Sequence, residues 1–172
     1  EKLGINFIIL DNHYEVSTNI FATGTVERSV ETYNGPEGLV VKDIKSNEFI
    51  PDIIVDDQSA GMLTDNGWIM MSGCGHSGII NTAKKLQSIQ NVPIYGALGG
   101  FHLFKATDQV IDKTANWLKD HGMTKFMGGH CTGIYAAERV ADVIGISREN
   151  LSHTAIGSVL TKDLNIIRSS VE

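Results

Sequence analysis

The chain has 172 residues and a formal charge of −6, which suits one acidic domain that can bury a core without disulfides. Hydrophobic residues make up 42% of it and charged residues 20%, so the composition excludes a disordered chain. The acidic balance argues against a nucleic-acid partner, because phosphate binding needs clustered Lys and Arg. No apolar run approaches the ~18 residues of a membrane span, which argues against a membrane partner. The two cysteines do not indicate a disulfide framework, and they favour a reducing, cytoplasmic location.

The front of the chain is predicted to contain short strands joined by turns. Apolar runs that indicate strands lie at 6–10, 19–23 and 39–41. The Asn-Gly-Pro at 34–36 indicates a turn. Two further apolar runs, 59–63 and 68–72, flank Asn66-Gly67, and Asn-Gly in this position is the strongest short signal for a hairpin.

After residue 72 the apolar residues recur at helical spacing. Helices are predicted at 77–90, 108–120 and 134–144, with Gly122 and Gly145 ending the second and third. Further strands are predicted at 92–98, 124–127, 154–160 and 164–167. A strand-rich front and an alternating back, with no internal repeat, indicate a single α/β domain over residues 1–172.

Three glycine-histidine corners follow three successive strands of the back half. They read Gly73-Cys74-Gly75-His76-Ser77-Gly78, Gly99-Gly100-Phe101-His102-Leu103 and Gly128-Gly129-His130-Cys131-Thr132-Gly133. Because ligands of α/β sheets bind at the carboxyl ends of the strands, we expect the three imidazoles to converge on one edge of the sheet. The glycines allow sharp turns and the close approach of a ligand.

The three histidines are predicted to form a metal site. Imidazole is the commonest metal ligand among side chains, and His76, His102 and His130 would supply three nitrogens. The alternative is that each imidazole caps a helix or bonds a loop carbonyl. Cys74 and Cys131 would give a Cys2His2 zinc site by ligand count. We favour instead a small buried hydrophobe for both, which is the usual state of a free Cys.

Other polar residues in this region have competing interpretations. Asp56 and Asp57 could ligate a metal or act as a base, but such a pair more often caps a turn and faces water. Ser77 and Thr132 stand at helix starts and are interpreted as capping residues.

The segment Gly73-x-Gly75-x-x-Gly78 matches the dinucleotide fingerprint, which keeps a nucleotide-binding α/β domain open as an alternative. That fingerprint also needs an acid about 20 residues further on, at the end of the next strand. No acid follows before Asp108, which argues against this alternative.

Together the three corners resemble a branch of the metallo-β-lactamase fold, the metal-dependent hydrolases of β-lactamase superfamily II. This branch includes proteins similar to dihydropterin ribofuranosylaminobenzene-phosphate synthase. Thr23-Gly24-Thr25-Val26-Glu27-Arg28 and Asp56-Asp57-Gln58 fit the same branch. The resemblance implies a four-layer αββα sandwich with one or two metal ions at the sheet edge.

The resemblance also implies roles for single residues. His76 matches the third metal motif of the superfamily and His130 the fifth, so both are implied metal ligands. His102 stands where a bridging Asp is normal and is implied as the catalytic residue, with Asp56, Asp57 and Cys131 as further candidates. The implied cofactor is zinc or another divalent transition metal, which activates water against a small, phosphorylated or pterin-like substrate.

The superfamily's His-x-His-x-Asp-His motif does not occur in these 172 residues. The resemblance therefore implies mainly the C-terminal half of the fold, with an incomplete metal site. A missing N-terminal half, or a second copy in a homo-oligomer, would then cover an apolar face. The alternative function is a non-catalytic remnant or interaction module of the same fold, with weak or absent metal binding.

Overall fold

Eleven strands and three helices form the regular structure in a computed structural model that describes residues 3–9, 11–32, 37–161 and 163–168. The strands are β1 (Tyr14–Ser17), β2 (Ile20–Ala22), β3 (Val40–Lys42), β4 (Phe49–Pro51), β5 (Ser59–Thr64), β6 (Gly67–Ser72), β7 (Ile94–Gly99), β8 (Lys125–Gly128), β9 (Leu151–His153), β10 (Val159–Leu160) and β11 (Ile166–Ile167). The helices are α1 (Ile79–Ile89), α2 (Asp108–Asp120) and α3 (Ile134–Ile144).

Seven of the strands form one mixed sheet in the order β1-β2-β5-β6-β7-β8-β9. The pairs on the β1 side of β6 are antiparallel, and the pairs from β6 to β9 are parallel. Strands β3 and β4 form a separate two-stranded sheet, as do β10 and β11. This arrangement confirms the predicted α/β class.

The predicted hairpin joins β5 to β6. Gly67 has a φ of 121°, and a Cβ at this position would overlap the carbonyl oxygen of Pro93. The turn therefore needs a residue without a side chain for both reasons.

The helices connect the parallel strands. Helices α2 and α3 have the predicted bounds, and α1 is shorter than the predicted helix by two residues at its start and one at its end. The Oγ1 of Thr107 accepts the backbone N–H of Val110 and caps α2, while Gly145 ends α3 with a left-handed φ of 84°. In the described part of the chain, no helix has the length and apolar character needed to cross a bilayer.

One core forms between the sheet and the three helices, because right-handed crossovers place successive helices on the same face. Trp68, Ile111 and Phe126 are among its fully buried side chains. Burial of a large apolar side chain contributes roughly 1.5–3 kcal/mol. Gly61 of β5 lets α1 come close, since a Cβ there would overlap the side chain of Leu86.

Some predicted elements at the two ends of the chain differ from the structure. The apolar run 6–10 is not a strand over residues 6–9, and residue 10 lies outside the described residues, as does the predicted turn at 34–36. Strands β1, β4 and β9 were not predicted. Only β10 lies within the predicted strand 154–160, because β9 ends at His153 and residues 154–158 form a turn.

Candidate functional site

The ends of β6, β7 and β8 lie side by side, and the three glycine-histidine corners leave the sheet from this edge. Ser72, Gly99 and Gly128 are neighbours in register across the three strands. Gly99 has a φ of 117°, and a Cβ there would overlap the carbonyl oxygen of Ser72. A Cβ on Gly100 would likewise overlap the carbonyl oxygen of Gly73. The corners approach one another this closely because these positions carry no side chain.

The first two corners bring His76 and His102 together. Their ring centroids lie 4.5 Å apart, with 49° between the planes. Phe104 packs edge-on against the His102 ring at 5.3 Å. Burial and the neighbouring His76 lower the pKa of His102, while the carboxylate of Asp57 raises it by less. The neutral imidazole is therefore favoured, and this is the form that coordinates metals.

The third corner places His130 against the two thiols. Nε2 of His130 lies 3.1 Å from Sγ of Cys74. The thiol of Cys131 donates to the carbonyl oxygen of Cys74 at 3.0 Å and accepts the backbone N–H of His102 at 3.3 Å. Burial raises the pKa of the Cys131 thiol to about 11. Both cysteines are free and half-buried, so the expectation of a small buried hydrophobe is wrong: each sulfur faces polar partners at the rim of the sheet.

Cys74, His130 and Cys131 fit a transition-metal ion. Their donor atoms all lie within 4.8 Å of one another. Zinc takes thiolate sulfur and imidazole nitrogen at roughly 2.0–2.3 Å, so two ligand atoms on one ion are separated by at most about 4.6 Å, close to the spread of these donors. Among the described residues, this is the group of three or more His, Cys, Asp or Glu side chains with donor atoms this close. His76 and His102 lie beside the group rather than in it.

Two residues that were interpreted as helix caps form hydrogen bonds between segments instead. Thr132 bonds the second corner, and Ser77 bonds the loop at Asp57. The Oγ1 of Thr132 accepts the backbone N–H of Phe101 at 3.1 Å and donates to the carbonyl oxygen of Gly99 at 3.1 Å. Ser77 donates its hydroxyl to the carbonyl oxygen of Asp57. The capping prediction is wrong for both, because the N-cap positions of the adjacent helices are Gly133 and Gly78, with no side-chain cap.

The two aspartates differ in their surroundings. Asp56 is exposed, whereas Asp57 is half-buried and its Oδ2 accepts the backbone N–H of Ser77 at 2.9 Å. The loop before them is held by Arg28, which donates at 2.6 Å to the carbonyl oxygens of Ile53 and Ile54. Ile54 has a left-handed φ of 54°, a strained conformation for a β-branched residue. Arg28 therefore helps to position Asp57.

A cavity of about 290 Å³ opens beside His76 and His102. Glu31 lines it, and the Oε2 of Glu31 accepts the backbone N–H groups of Ile80 and Asn81 at the start of α1. In a dinucleotide site these helix N-terminal amides would face a pyrophosphate. Here a carboxylate of the chain already occupies them, which argues against the nucleotide-binding alternative.

The contacts of Arg28 and Glu31 were not predicted from the sequence, and the polar partners of Cys74 differ from the apolar surroundings predicted for it. Arg28 and Glu31 lie in a segment without regular structure, where no periodic pattern marks a contact. The signal for Cys74 was present, since it precedes His76 by two residues in a corner at the same sheet edge as His130.

Comparisons with known proteins bear on this fold and site. No family model matches the chain. Over 138 residues it is 30% identical to 7,8-dihydropterin-6-methyl-4-(beta-D-ribofuranosyl)-aminobenzene-5'-phosphate synthase of Methanocaldococcus jannaschii, an alignment that covers 79% of this chain and 47% of that protein. An uncharacterized protein of the same organism is 33% identical over 138 residues, which cover 78% of this chain and 48% of that protein.

A solved structure shows the same relationship. The crystal structure of Tm1679, a metal-dependent hydrolase of the β-lactamase superfamily, matches with a TM-score of 0.66 and 28% identity, over 86% of this chain and 54% of that chain. The predicted resemblance to the β-lactamase superfamily is confirmed. The first relative carries the name of the synthase-like branch to which the corner motifs pointed.

The β-lactamase-superfamily match concerns part of each relative. The chain spans about half the length of the curated relatives it matches, at 47% and 48%. The structural match covers a similar share, 54%, of the metal-dependent hydrolase.

Proposed function

We propose that the chain acts as part of a metal-dependent hydrolase of the β-lactamase superfamily and carries part of its metal site. The observation that carries this proposal is the meeting of Cys74, His130 and Cys131 donor atoms within 4.8 Å at the strand ends. The similarity to a metal-dependent hydrolase at a TM-score of 0.66 supports it.

His130, with the thiols of Cys74 and Cys131, is the proposed centre of the metal site. His76 lies outside this donor group, and we propose it as a further ligand that comes within reach when the ion binds. Catalytic zinc sites typically hold three protein ligands and keep one position open. A divalent metal of this kind, zinc in our proposal, acts as a Lewis acid and supplies an activated water at neutral pH. Further ligands would come from the N-terminal half of the family fold, a proposal that the half-length match to the relatives supports.

His102 is proposed to act on the substrate side of the metal, and Asp57 to position the first corner. His102 lies beside His76 at the opening of the 290 Å³ cavity, where its ring can bond a substrate oxygen. Asp57 accepts from the backbone of Ser77 and so fixes the start of the first corner. We propose a small, phosphorylated or pterin-like substrate, which the size of the cavity and the similarity to the dihydropterin aminobenzene-phosphate synthase support.

Metal analysis of the purified chain tests this proposal. The wild-type protein is loaded with zinc and desalted, and its metal content is measured by inductively coupled plasma mass spectrometry. We expect it to retain at least about one ion per two chains. His130→Ala should abolish retention and His76→Ala should reduce it, because each loses a ligand nitrogen. His13→Ala is the matched control, because His13 is exposed and lies just before β1, outside the three corners.

Two outcomes would overturn the metal assignment, and a third would count against its specificity. One is wild-type retention well below one ion per two chains at saturating zinc. The other is unchanged retention in His130→Ala with the fold intact by circular dichroism. A drop in the His13→Ala control to the level of His130→Ala would also count against a specific site.

A second candidate function, an interaction module, is favoured by one surface. The β3–β4 sheet exposes Val40 and Phe49 on one face, and Ile44 between the strands is almost fully exposed. An exposed apolar cluster of this kind is typical of a protein contact. We propose a second copy as its occupant, which analytical ultracentrifugation tests: Phe49→Ser should convert a dimer to a monomer, and a wild-type monomer at high concentration would exclude this contact.

We also infer a reducing, cytoplasmic location. Cys74 and Cys131 are free thiols, and their oxidation would remove two donors of the proposed site. Treatment of the metal-free protein with a thiol oxidant should therefore abolish zinc retention, and dithiothreitol should restore it. Retention that survives oxidation would remove the support for this location.

A further inference from the structure

The 290 Å³ cavity beside the histidines is built differently from the metal site. It lies between the segment before residue 33, the corners of His76 and His102, and the start of α2. Its apolar wall consists of Val30, Ile80, Phe101, Leu103, Ala106 and Val110. Its size lies near the lower end of the range for small-molecule sites, about 300–1,000 Å³.

Glu31 is the acidic group in this wall. Its Oε2 accepts the backbone N–H groups of Ile80 at 2.7 Å and Asn81 at 3.2 Å. Both of these bonds go to the same oxygen, and Oε1 accepts neither. The side-chain amide of Asn81 also bonds the Glu31 carbonyl at 2.9 Å, so the carboxylate is held in a fixed position. A carboxylate oxygen thus stands at an apolar cavity, in a setting that favours a donor from a ligand.

The charge of Glu31 is incompletely balanced. Burial raises its pKa, and the two backbone hydrogen bonds and the charge of Lys113 offset this effect only in part. Lys113 also lines the cavity, but it is exposed and forms no ion pair with Glu31 within 4.0 Å among the described contacts. Two backbone amides bind this carboxylate, but the described ion pairs give it no cation, so a cation that arrives with a ligand would stabilise it.

We propose that this cavity is a subsite for a small apolar molecule that carries a cationic nitrogen group, with Glu31 as the residue that selects it. The apolar body packs against Phe101 and Val110, and the N–H donors of the nitrogen group face Oε1 of Glu31. The subsite deepens the proposed hydrolase function, on which its role as a substrate subsite rests. The binding itself does not need the metal.

Three probes of nearly equal shape and different charge test the subsite. Benzamidine is a cation, benzamide is neutral and benzoate is an anion. Titration of the metal-free chain, followed by chemical-shift changes, should show benzamidine binding at least about tenfold more tightly than benzamide, with benzoate weaker still. Glu31→Gln should remove this preference and leave benzamidine at the level of benzamide. The Gln side chain keeps an oxygen for the two backbone amides, so the fold is retained.

Two further variants separate binding from folding. Val110→Trp, at a half-exposed wall position, should fill the cavity and abolish binding of all three probes without lowering the melting temperature. Glu149→Gln, on an exposed acidic residue, should bind like the wild type. Equal affinity for the three probes, or a preference for benzoate, would overturn the proposal. Benzamidine selectivity in a protein that fails to retain zinc would leave the subsite intact and refute the metal proposal alone.

Discussion

The thiol of Cys74 lies 3.1 Å from Nε2 of His130, although the two residues are 56 positions apart in the chain. The contact exists because β6 and β8 end at the same edge of the sheet, with Gly99 and Gly100 of the intervening corner leaving room between them. Glycine at these two positions therefore determines whether the sulfur and nitrogen donors can meet.

Cobalt substitution should show directly whether the two cysteine sulfurs coordinate a bound metal ion. Thiolate coordination gives cobalt an intense near-ultraviolet charge-transfer band, and Cys74 and Cys131 are the only two cysteines in the sequence. We expect a strong band in the wild type, about half of it in Cys74→Ser, and none in the double Cys→Ser variant. A cobalt-loaded wild type without the band would show that the metal does not contact the sulfurs.

The glycine corner should be intolerant of a single methyl group. Gly99→Ala places a Cβ against the carbonyl oxygen of Ser72 at a φ of 117°, so the free energy of unfolding should fall by about 1–3 kcal/mol or more. Gly73→Ala is the matched control at the same rim, because its Cβ would have no neighbour within 4 Å. Chemical denaturation measures both, and equal stability of the two variants would contradict the close packing.

Arg28 should restrain the loop that carries Asp57. Arg28→Met removes two hydrogen bonds to the carbonyl oxygens of Ile53 and Ile54, and hydrogen bonds from a charged group contribute roughly 1.5–3 kcal/mol each when well formed. We expect faster amide hydrogen exchange over residues 52–58, measured by mass spectrometry. Lys84→Met, which loses only a 3.4 Å contact to Ser29, should leave exchange there unchanged.

Acid should weaken a surface ion pair between α2 and α3. Arg139 donates two hydrogen bonds to the carboxylate of Asp112, at 2.7 and 2.8 Å, and this lowers the pKa of Asp112 in the folded state. The stabilisation is therefore present above the unfolded-state pKa and is lost as the pH falls through the lower folded-state value.

This pair can be tested by one substitution at two pH values. Asp112→Asn should lower the melting temperature at pH 7, and the difference from the wild type should shrink below about pH 4. Asp142→Asn, at an exposed position on α3, is the control. A difference that stays constant across this range would show that the pair does not contribute through charge.

The back half of the fold could be predicted from the sequence because its patterns reflect physical requirements, such as a buried helix face or a positive φ in a turn. The spacing of Ile111, Ala115 and Leu118 matches a buried helix face, and all three are fully buried. Asn66-Gly67 fixed the hairpin because Gly67 needs a positive φ. The predicted strand at 6–10 was misleading over residues 6–9, since apolar content indicates burial, yet Phe7 and Ile9 are exposed and lie in none of the described strands.

The sequence could predict at which edge of the sheet the site lies, but not which side chains contact each other there. Strand ends aligned in register bring three corners together, and this follows from the alternation of strands and helices. Which side chains face each other depends on the backbone of each corner, and a pattern of residue types does not encode it. His76 therefore pairs with His102, and His130 with the cysteines, a division that the three similar motifs did not reveal.

His102 and His130 share a left-handed backbone with a φ of 49°. Such a conformation costs an L-residue on the order of 1–3 kcal/mol, which glycine avoids. Each imidazole is thus retained against a local preference for its own removal. Directed evolution for heat resistance alone will tend to replace both positions with glycine or asparagine, which would relieve the strain and remove both imidazoles from the strand ends.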